Sequence, residues 1–232
     1  MRILGLDTAT EACSAALWVD GAILLREVVT ERGHAGLILR MIDELLAEGG
    51  ASLKTLDAIA FGRGPGSFTG VRLAASVTQG LAFGAGLPVV AVSDLRAVAQ
   101  RALAQPMDNS LATRRLLVCN DARMHEVYWA CFELESDELV MPAGLEHVDK
   151  PADVDLPDSW SQTPVHGAGR GFAAYPELRA RMAGRLGKID DELLPRASEI
   201  AVLAAPEVRA GRVIAAEQAF PVYLRDNVAR PK

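Results

Sequence analysis

The chain has 232 residues, 50% of them hydrophobic, and a formal net charge of −6. This acidic balance argues against a free-standing nucleic-acid-binding protein, which would carry a basic patch, although it is compatible with work beside RNA next to a more basic partner. No uninterrupted apolar run reaches the length of about 18 residues that a membrane-spanning helix needs, so no membrane association is expected.

The three cysteines, Cys13, Cys119 and Cys131, are far apart and form no Cys-x-x-Cys pair. An odd, widely spaced set is typical of reduced thiols in a cytoplasmic protein rather than of a disulfide framework or a zinc site. The first apolar run ends at Asp7, so no secretory signal peptide is expected there. A cytoplasmic location is therefore expected.

The first hundred residues predict three antiparallel strands followed by alternating helices and strands. Asp20 and Gly21 form the favoured dipeptide of a tight hairpin turn. Apolar residues recur with the period of a helix over residues 34–48, which predicts an amphipathic helix. This order is typical of an α/β fold with a mixed sheet. The predicted elements are strands 2–7, 13–19, 22–29, 56–62 and 88–92 and helices 34–48, 67–84 and 94–103.

The second half of the chain partly repeats this pattern, which indicates an old duplication. A polar segment, residues 105–113, is typical of a linker between the halves. We expect an N-terminal subdomain of residues 1–105, to which the tail 215–232 returns, and a smaller C-terminal subdomain of residues 106–214. The predicted elements of this half are strands 116–120, 127–134 and 165–169, helical stretches 174–186 and 197–210, and a closing segment 221–225.

The most informative stretch is residues 62–72, Gly-Arg-Gly-Pro-Gly-Ser-Phe-Thr-Gly-Val-Arg, which lies between a predicted strand and a predicted helix. Ser67 is placed to cap that helix. A glycine-rich turn that opens a helix can bind an anion, or it can be a structural turn that lets two backbone segments pack closely. The segment fits neither a Walker loop nor the dinucleotide fingerprint, so the structural turn is the favoured interpretation.

Small polar residues also follow the first strand. Thr8, Thr10 and Ser14 could bond to a phosphate beside Asp7, and Gly167 and Gly169 would form a second phosphate turn. The alternative is a turn whose side chains cap local N–H groups. This alternative is slightly favoured, because the first loop contains no lysine to provide a charge-assisted bond to phosphate.

Four motifs follow one another over nearly the whole chain: residues 3–10, Gly64-Pro-Gly-Ser-Phe-Thr-Gly-Val-Arg72, residues 121–129 and Pro221-Val-Tyr-Leu-Arg225. Together, and in this order, they resemble the bacterial TsaB (YeaZ) family. The resemblance implies an actin, hexokinase and Hsp70-like (ribonuclease H-like) fold of two related α/β subdomains. It also implies a non-catalytic scaffold or activator that partners the transferase TsaD and the ATPase TsaE. That complex forms N6-threonylcarbamoyladenosine at position 37 of tRNAs.

The same resemblance bears on whether this chain is itself catalytic or is the partner of a catalytic relative. Catalytic relatives carry a His-x-x-x-His motif that holds a metal ion, and here Asp94 and Val98 occupy the two histidine places. Valine cannot bind a metal, and His34, His125, His147 and His166 are far apart in sequence, so we expect neither a metal site nor catalysis by the chain alone. Two alternatives stay open: an autonomous ATP-binding transferase or kinase of this fold, and a glycoprotease of the peptidase M22 type.

A non-catalytic partner needs a surface for its companion. The resemblance implies that the first two helices form a four-helix arrangement with TsaD, and that the chain alone forms a homodimer. Nucleotide (ATP or ADP with magnesium) is expected only within the complex, with no tightly bound cofactor, and tRNA is expected to be reached only through the complex. The alternative is that both helices simply cover a sheet. The predicted interface residues are His34, Leu37, Ile38, Met41, Leu45, Ser67, Phe68, Gly70, Val71, Arg72 and Ala75.

Overall fold

The computed structural model describes residues 1–104, 115–134, 139–161 and 164–225, and the chain divides into two compact units. The first unit consists of Met1–Ala97 and Pro195–Pro221, and the second of Val98–Leu194 with the residues from Val222 onward. Against the predicted boundaries, residues 195–214 group with the first unit. Of the tail predicted to return to that unit, residues 215–221 do so, whereas the described residues 222–225 group with the second. The predicted linker, residues 105–113, lies outside the described residues.

The first unit is built on a five-stranded mixed sheet with the strand order β3-β2-β1-β4-β5. The first three strands pair antiparallel, and β1, β4 and β5 run parallel. Asp20 and Gly21 both have positive φ, 46° and 101°, which confirms the predicted hairpin turn between β2 and β3. The strands are β1 (Arg2–Asp7), β2 (Ala12–Val19), β3 (Ala22–Val29), β4 (Ala58–Gly62) and β5 (Val89–Val92).

Helices cover both faces of this sheet. Helices α1 (His34–Glu48) and α2 (Phe68–Ala85) pack on the face that carries Leu4 and Leu6. Helix α6 (Ala197–Arg209) packs on the opposite face, where Gly5 allows it to come close. A Cβ on Gly5 would lie 2.4 Å from the carbonyl oxygen of Ala197. Helix α3 (Asp94–Leu103) follows β5. In the described ranges, no helix is long and apolar enough to cross a membrane.

The apolar face of α1 that predicted a partner surface is the face that covers the sheet. Ile38 and Leu45 have no exposed surface, and Met41 is 3% exposed. On α2, Val71 and Ala75 are buried in the same way. These five residues pack within the core of their own unit, and the interface role predicted for them stays a prediction.

The second unit repeats the topology of the first. Its sheet has the order β11-β10-β6-β7-β8, with β9 also pairing to β7. Strands β6, β10 and β11 run parallel, whereas β7 pairs antiparallel with β6, β8 and β9. Its strands are β6 (Arg115–Asp121), β7 (Val127–Leu134), β8 (Val140–Pro142), β9 (His147–Asp149), β10 (Val165–Ala168) and β11 (Leu186–Asp190).

The matching strand orders confirm the predicted fold class, two related α/β subdomains of the actin, hexokinase and Hsp70-like type. The single helical stretch predicted over residues 174–186 is corrected. It consists of two short helices, α4 (Gly171–Ala174) and α5 (Pro176–Met182), separated at Tyr175. The second begins at Pro176, whose missing N–H is harmless only in the first turn of a helix. Strand β11 then follows, in a segment where no strand was predicted.

The burial of α1 gives a first test. Leu45→Ala is expected to lower the free energy of unfolding by about 2–5 kcal/mol, because it removes methyl groups from a packed core. Leu39→Ala, on the same helix but 50% exposed, is the matched control and should cost about 0.5 kcal/mol or less. Urea denaturation measures both values. Equal losses for the two variants would contradict the assignment of Leu45 to the core.

Candidate functional site

The turn after β1 and the glycine-rich turn before α2 pack directly against each other. The N–H of Ser67 donates to the carbonyl of Ala9 over 2.7 Å, and the hydroxyl of Thr8 donates to the carbonyl of Gly70 over 2.7 Å. A Cβ on Gly70 would lie 2.0 Å from the carbonyl oxygen of Thr8. A Cβ on Gly66 would lie 2.5 Å from that of Ala9. The glycines therefore permit close backbone packing, which confirms the interpretation as a structural turn.

Two carboxyl groups lie beneath this turn, both with no exposed surface: Asp7 at the end of β1 and Asp94 at the start of α3. One oxygen of each is bonded to backbone. Asp7 Oδ1 accepts from the N–H of Ala9 over 2.7 Å, and Asp94 Oδ2 accepts from the N–H of Gly64 over 2.5 Å. The other two oxygens lie beside Gly62, where an added Cβ would be 2.9 Å from Asp7 Oδ2 and 2.3 Å from Asp94 Oδ1.

The surroundings raise the pKa of both carboxyl groups. For Asp7, burial raises the pKa, while hydrogen bonds from Asp94 and from the N–H of Ala9 oppose the shift. For Asp94, burial raises the pKa well above its usual value, and the charge of Asp7 and the hydrogen bond to it raise it further. The Gly64 N–H and the Arg63 guanidinium act in the opposite direction. Asp94 is therefore the member of the pair that keeps its proton more readily.

The polar residues predicted to face a nucleotide are mostly engaged within the first unit. Ser14 is buried, and its Oγ accepts from the N–H of Ala197, the first residue of α6, over 3.0 Å. Thr8 is 1% exposed and bonded to Gly70 as described. Burial and internal bonds occupy the side chains of Asp7, Thr8 and Ser14, and a role of these residues toward nucleotide stays a prediction. Thr10 is half-buried, and its Oγ1 accepts from the N–H of Ala12 over 3.2 Å.

The second glycine turn is also tightly packed. Gly169 has a φ of 99°, and a Cβ there would lie 2.5 Å from the carbonyl oxygen of Cys119 and from Oδ1 of Asn120. Gly167 lies within β10, where a Cβ would be 3.2 Å from Leu186 and Ile189. Both glycines thus serve the contact of β10 with its neighbours, and a role toward nucleotide stays a prediction.

A bond between two of the sequence motifs was not predicted. Arg225, the last residue of the closing motif, reaches the turn between β6 and β7. Its guanidinium donates to the carbonyl of Ala122 over 3.2 Å and to the carboxylate of Glu126, and it lies 3.5 Å from the sulfur of Met124. Both partners lie in motifs that carry the family resemblance, so the sequence alone singles out these residues. It does not reveal that the two motifs contact each other.

The histidines do not form a common site in the described residues. His34 Nε2 lies 3.0 Å from the carbonyl oxygen of Thr10, and His166 Nε2 lies 2.8 Å from Asp190. Burial lowers the pKa of His166, and the hydrogen bond to Asp190 and the charge of Asp190 oppose this shift. Throughout the described ranges, no three His, Cys, Asp or Glu side chains are grouped so that they could hold a metal ion.

The remaining predicted interface residues lie nearer the surface. His34 and Leu37 on α1 are half-buried, as is Gly70 on α2, and Ser67 is exposed. On α2, Phe68 is 50% exposed and Phe83 is 71% exposed. The guanidinium of Arg72 lies 3.5 Å from the ring centroid of Phe68. The exposed face of α2 is defined by Phe68, Arg72, Ser76, Gly80 and Phe83.

These features define a duplicated α/β protein in which the two glycine turns serve internal packing. A family model described as "TsaD: tRNA N6-adenosine threonylcarbamoyltransferase" matches residues 28–232. The "tRNA threonylcarbamoyladenosine biosynthesis protein TsaB" of Escherichia coli is 40% identical over 100% of this chain and 98% of its own length. The protein of the same name from Haemophilus influenzae is 37% identical, over 100% of this chain and 97% of its own length.

Solved structures agree with these relatives. "YeaZ from Pseudomonas aeruginosa" is 43% identical and superposes with a TM-score of 0.84, covering 96% of this chain and 99% of that one. A second Pseudomonas aeruginosa structure, described as an uncharacterized protein with similarity to peptidase YeaZ, is 42% identical with a TM-score of 0.85, over 97% and 99% of the two chains. The chain belongs to the TsaB (YeaZ) family.

The glycine-rich turn gives a second test, in which two glycines of α2 are compared. Gly70→Ala is expected to destabilise the fold, because its Cβ would overlap the backbone of Thr8. Gly80→Ala is the matched control: nothing lies within 4 Å of its added Cβ, and better helix propensity should stabilise the protein by about 0.5–1 kcal/mol. Thermal unfolding followed by circular dichroism measures both. A Gly70→Ala variant as stable as Gly80→Ala would contradict the close packing.

Proposed function

We propose that the chain is a non-catalytic scaffold or activator subunit in the formation of N6-threonylcarbamoyladenosine at position 37 of tRNAs, and that its partner is the transferase TsaD. Support comes from the full-length similarity to proteins named for tRNA threonylcarbamoyladenosine biosynthesis. The family model carries the name of the transferase itself, so the role of this chain within the pathway has to be argued from its residues.

The observation that carries the non-catalytic role is the environment of Asp94. The family resemblance implies that Asp94 and Val98 occupy the places of the two histidines that hold a metal ion in catalytic relatives. Both side chains are buried, and the Asp94 carboxyl accepts from the Gly64 N–H and lies beside Asp7. Valine has no donor atom, and the Asp94 carboxyl is engaged internally, so these two residues offer no open metal position.

The exposed face of α2 is the surface we propose for TsaD. Two large aromatic side chains, Phe68 and Phe83, are exposed near opposite ends of the helix. The residues between them, Ser76 and Gly80, are small and exposed, so a partner helix could approach the α2 backbone closely. Aromatic anchors on an otherwise flat helix face are typical of the residues that dominate the binding energy of an interface. In the absence of TsaD, the same face would pair two copies of the chain.

The remaining partners belong to the complex rather than to the lone chain. TsaE is proposed to join the pair formed with TsaD, and tRNA is proposed to be reached through that assembly. ATP or ADP with magnesium would bind only when the complex forms. The burial of Asp7, Thr8 and Ser14 supports the absence of a tight nucleotide site in the isolated chain.

Size-exclusion chromatography and a transfer assay test the proposed function together. The purified chain should co-elute with TsaD at micromolar concentration, and it should raise the rate at which TsaD, supplied with threonylcarbamoyl-adenylate, modifies tRNA. Alone it should transfer nothing. Transfer by the lone chain would establish an autonomous enzyme, and failure to co-elute would remove the scaffold role.

A variant of the exposed face tests the surface itself. Phe83→Asp should weaken binding to TsaD about tenfold or more while leaving the fold intact, because it removes a large apolar anchor and buries a charge in the interface. Leu145→Asp, at a side chain that is 78% exposed in the second unit, is the matched control and should bind normally. Calorimetric titration into TsaD measures both affinities. Unchanged binding by Phe83→Asp would move the interface elsewhere.

A further inference from the structure

Among the described residues, the oxygens of Asp7 and Asp94 that face Gly62 have no hydrogen-bond partner if both groups are ionised. In the same ranges no N–H group donates to Asp7 Oδ2 or Asp94 Oδ1, although both oxygens are inaccessible to solvent. They converge on the space left by the missing side chain of Gly62. Two ionised carboxylates in this arrangement would repel each other in a site that water does not screen.

We infer that Asp7 and Asp94 hold one shared proton, carried by Asp94 and donated to Asp7, and that this proton fastens the glycine-rich turn to the end of β1. With this proton Asp94 Oδ1 donates to Asp7 Oδ2, so that each of the two oxygens has a hydrogen-bond partner. Asp94 Oδ2 stays bonded to the Gly64 N–H, and Asp7 Oδ1 to the Ala9 N–H. The pair therefore joins three segments: the exit of β1, the exit of β4 and the first residue of α3.

The charges around the pair favour one negative charge and not two. Among the described residues, the charge of Arg63 on the glycine-rich turn lowers the pKa of Asp94. His34 on α1 lowers the pKa of Asp7, and Glu27 on β3 raises it. Cys13 on β2 is a neutral thiol, because burial raises its pKa to about 11. On the α6 side, Arg196 and Glu199 bond to each other, with Nε to Oε2 at 2.9 Å.

The direction of the pH dependence follows from the raised pKa of the folded pair. The unfolded chain releases these protons near the ordinary aspartate pKa of about 3.9, whereas the folded chain keeps one to higher pH. Between those two values the folded state binds more protons than the unfolded state. The contribution of the pair to the free energy of unfolding is thus fully present below the unfolded pKa, and it falls as pH rises through the folded pKa of Asp94.

Asparagine variants test the shared proton, because an amide can replace the donor without a titrating group. In Asp94→Asn the amide N–H can donate to Asp7 while the amide oxygen still accepts from Gly64. Between the unfolded and folded pKa of Asp94, the free energy of unfolding of the wild type should fall with pH at a slope of about one proton, and Asp94→Asn should lack this slope. The stability of the variant relative to wild type should therefore increase with pH. Asp7→Asn should also fold, whereas the double variant places two amide donors opposite each other and should be less stable than either single variant. Asp43→Asn, at an exposed position on α1, should leave the pH dependence unchanged.

The wild-type protein provides a measurement that needs no variant to fold. Infrared spectra of protein labelled with [4-13C]aspartate should show the carbonyl band of a protonated carboxylic acid at neutral pH, and Asp94→Asn should remove it. A wild-type spectrum with ionised carboxylates alone would overturn the inference. Loss of stability on adding a chelator, with no acid band, would show instead that a cation holds the two carboxylates. An additive double variant would show that the pair shares no hydrogen bond.

Discussion

The first unit depends on one close approach, between the turn after β1 and the glycine-rich turn that opens α2. At Gly62, Gly66 and Gly70, an added Cβ would overlap a carboxyl group or a backbone carbonyl. The helix, the sheet and the buried carboxyl pair all meet at this place. Glycine is required because the space is already occupied, and this physical reason replaces the ligand-binding explanation that a glycine-rich turn first suggests.

The fold was largely predictable because its signals are local. The Asp20-Gly21 turn, the period of α1 and the cap at Ser67 each act over a few residues, and the structure contains all three elements. Contacts between distant segments were not predictable in the same way. Nothing in the sequence near Ser14 indicates that its hydroxyl accepts from the first N–H of α6, 183 residues later. The difference from the predicted subdomain boundary has the same cause, since helical periodicity does not reveal which sheet a helix covers.

The candidate interface shows the limit of amphipathic patterns. A broad apolar stripe indicates that a helix face is buried, but it does not indicate which part of the protein or which partner buries it. On α1 the stripe through Ile38 and Leu45 is covered by the chain's own sheet. On α2 the informative residues are those that break the pattern, because Phe83 is a large aromatic side chain on the solvent side. An apolar residue out of phase with the core marks apolar surface that the chain's own sheet does not cover.

The position of α6 in the chain has a consequence for synthesis on the ribosome. One face of the first sheet is covered by a helix that is translated about a hundred residues after β5, when the second unit has already been made. Until then Gly5 and the apolar residues beside it lack the helix that shields them, so the N-terminal half cannot complete its core in the usual N-to-C order. The nascent chain must hold an unfinished sheet while the next subdomain emerges, and this interval is when it is most exposed to aggregation or to capture by a chaperone.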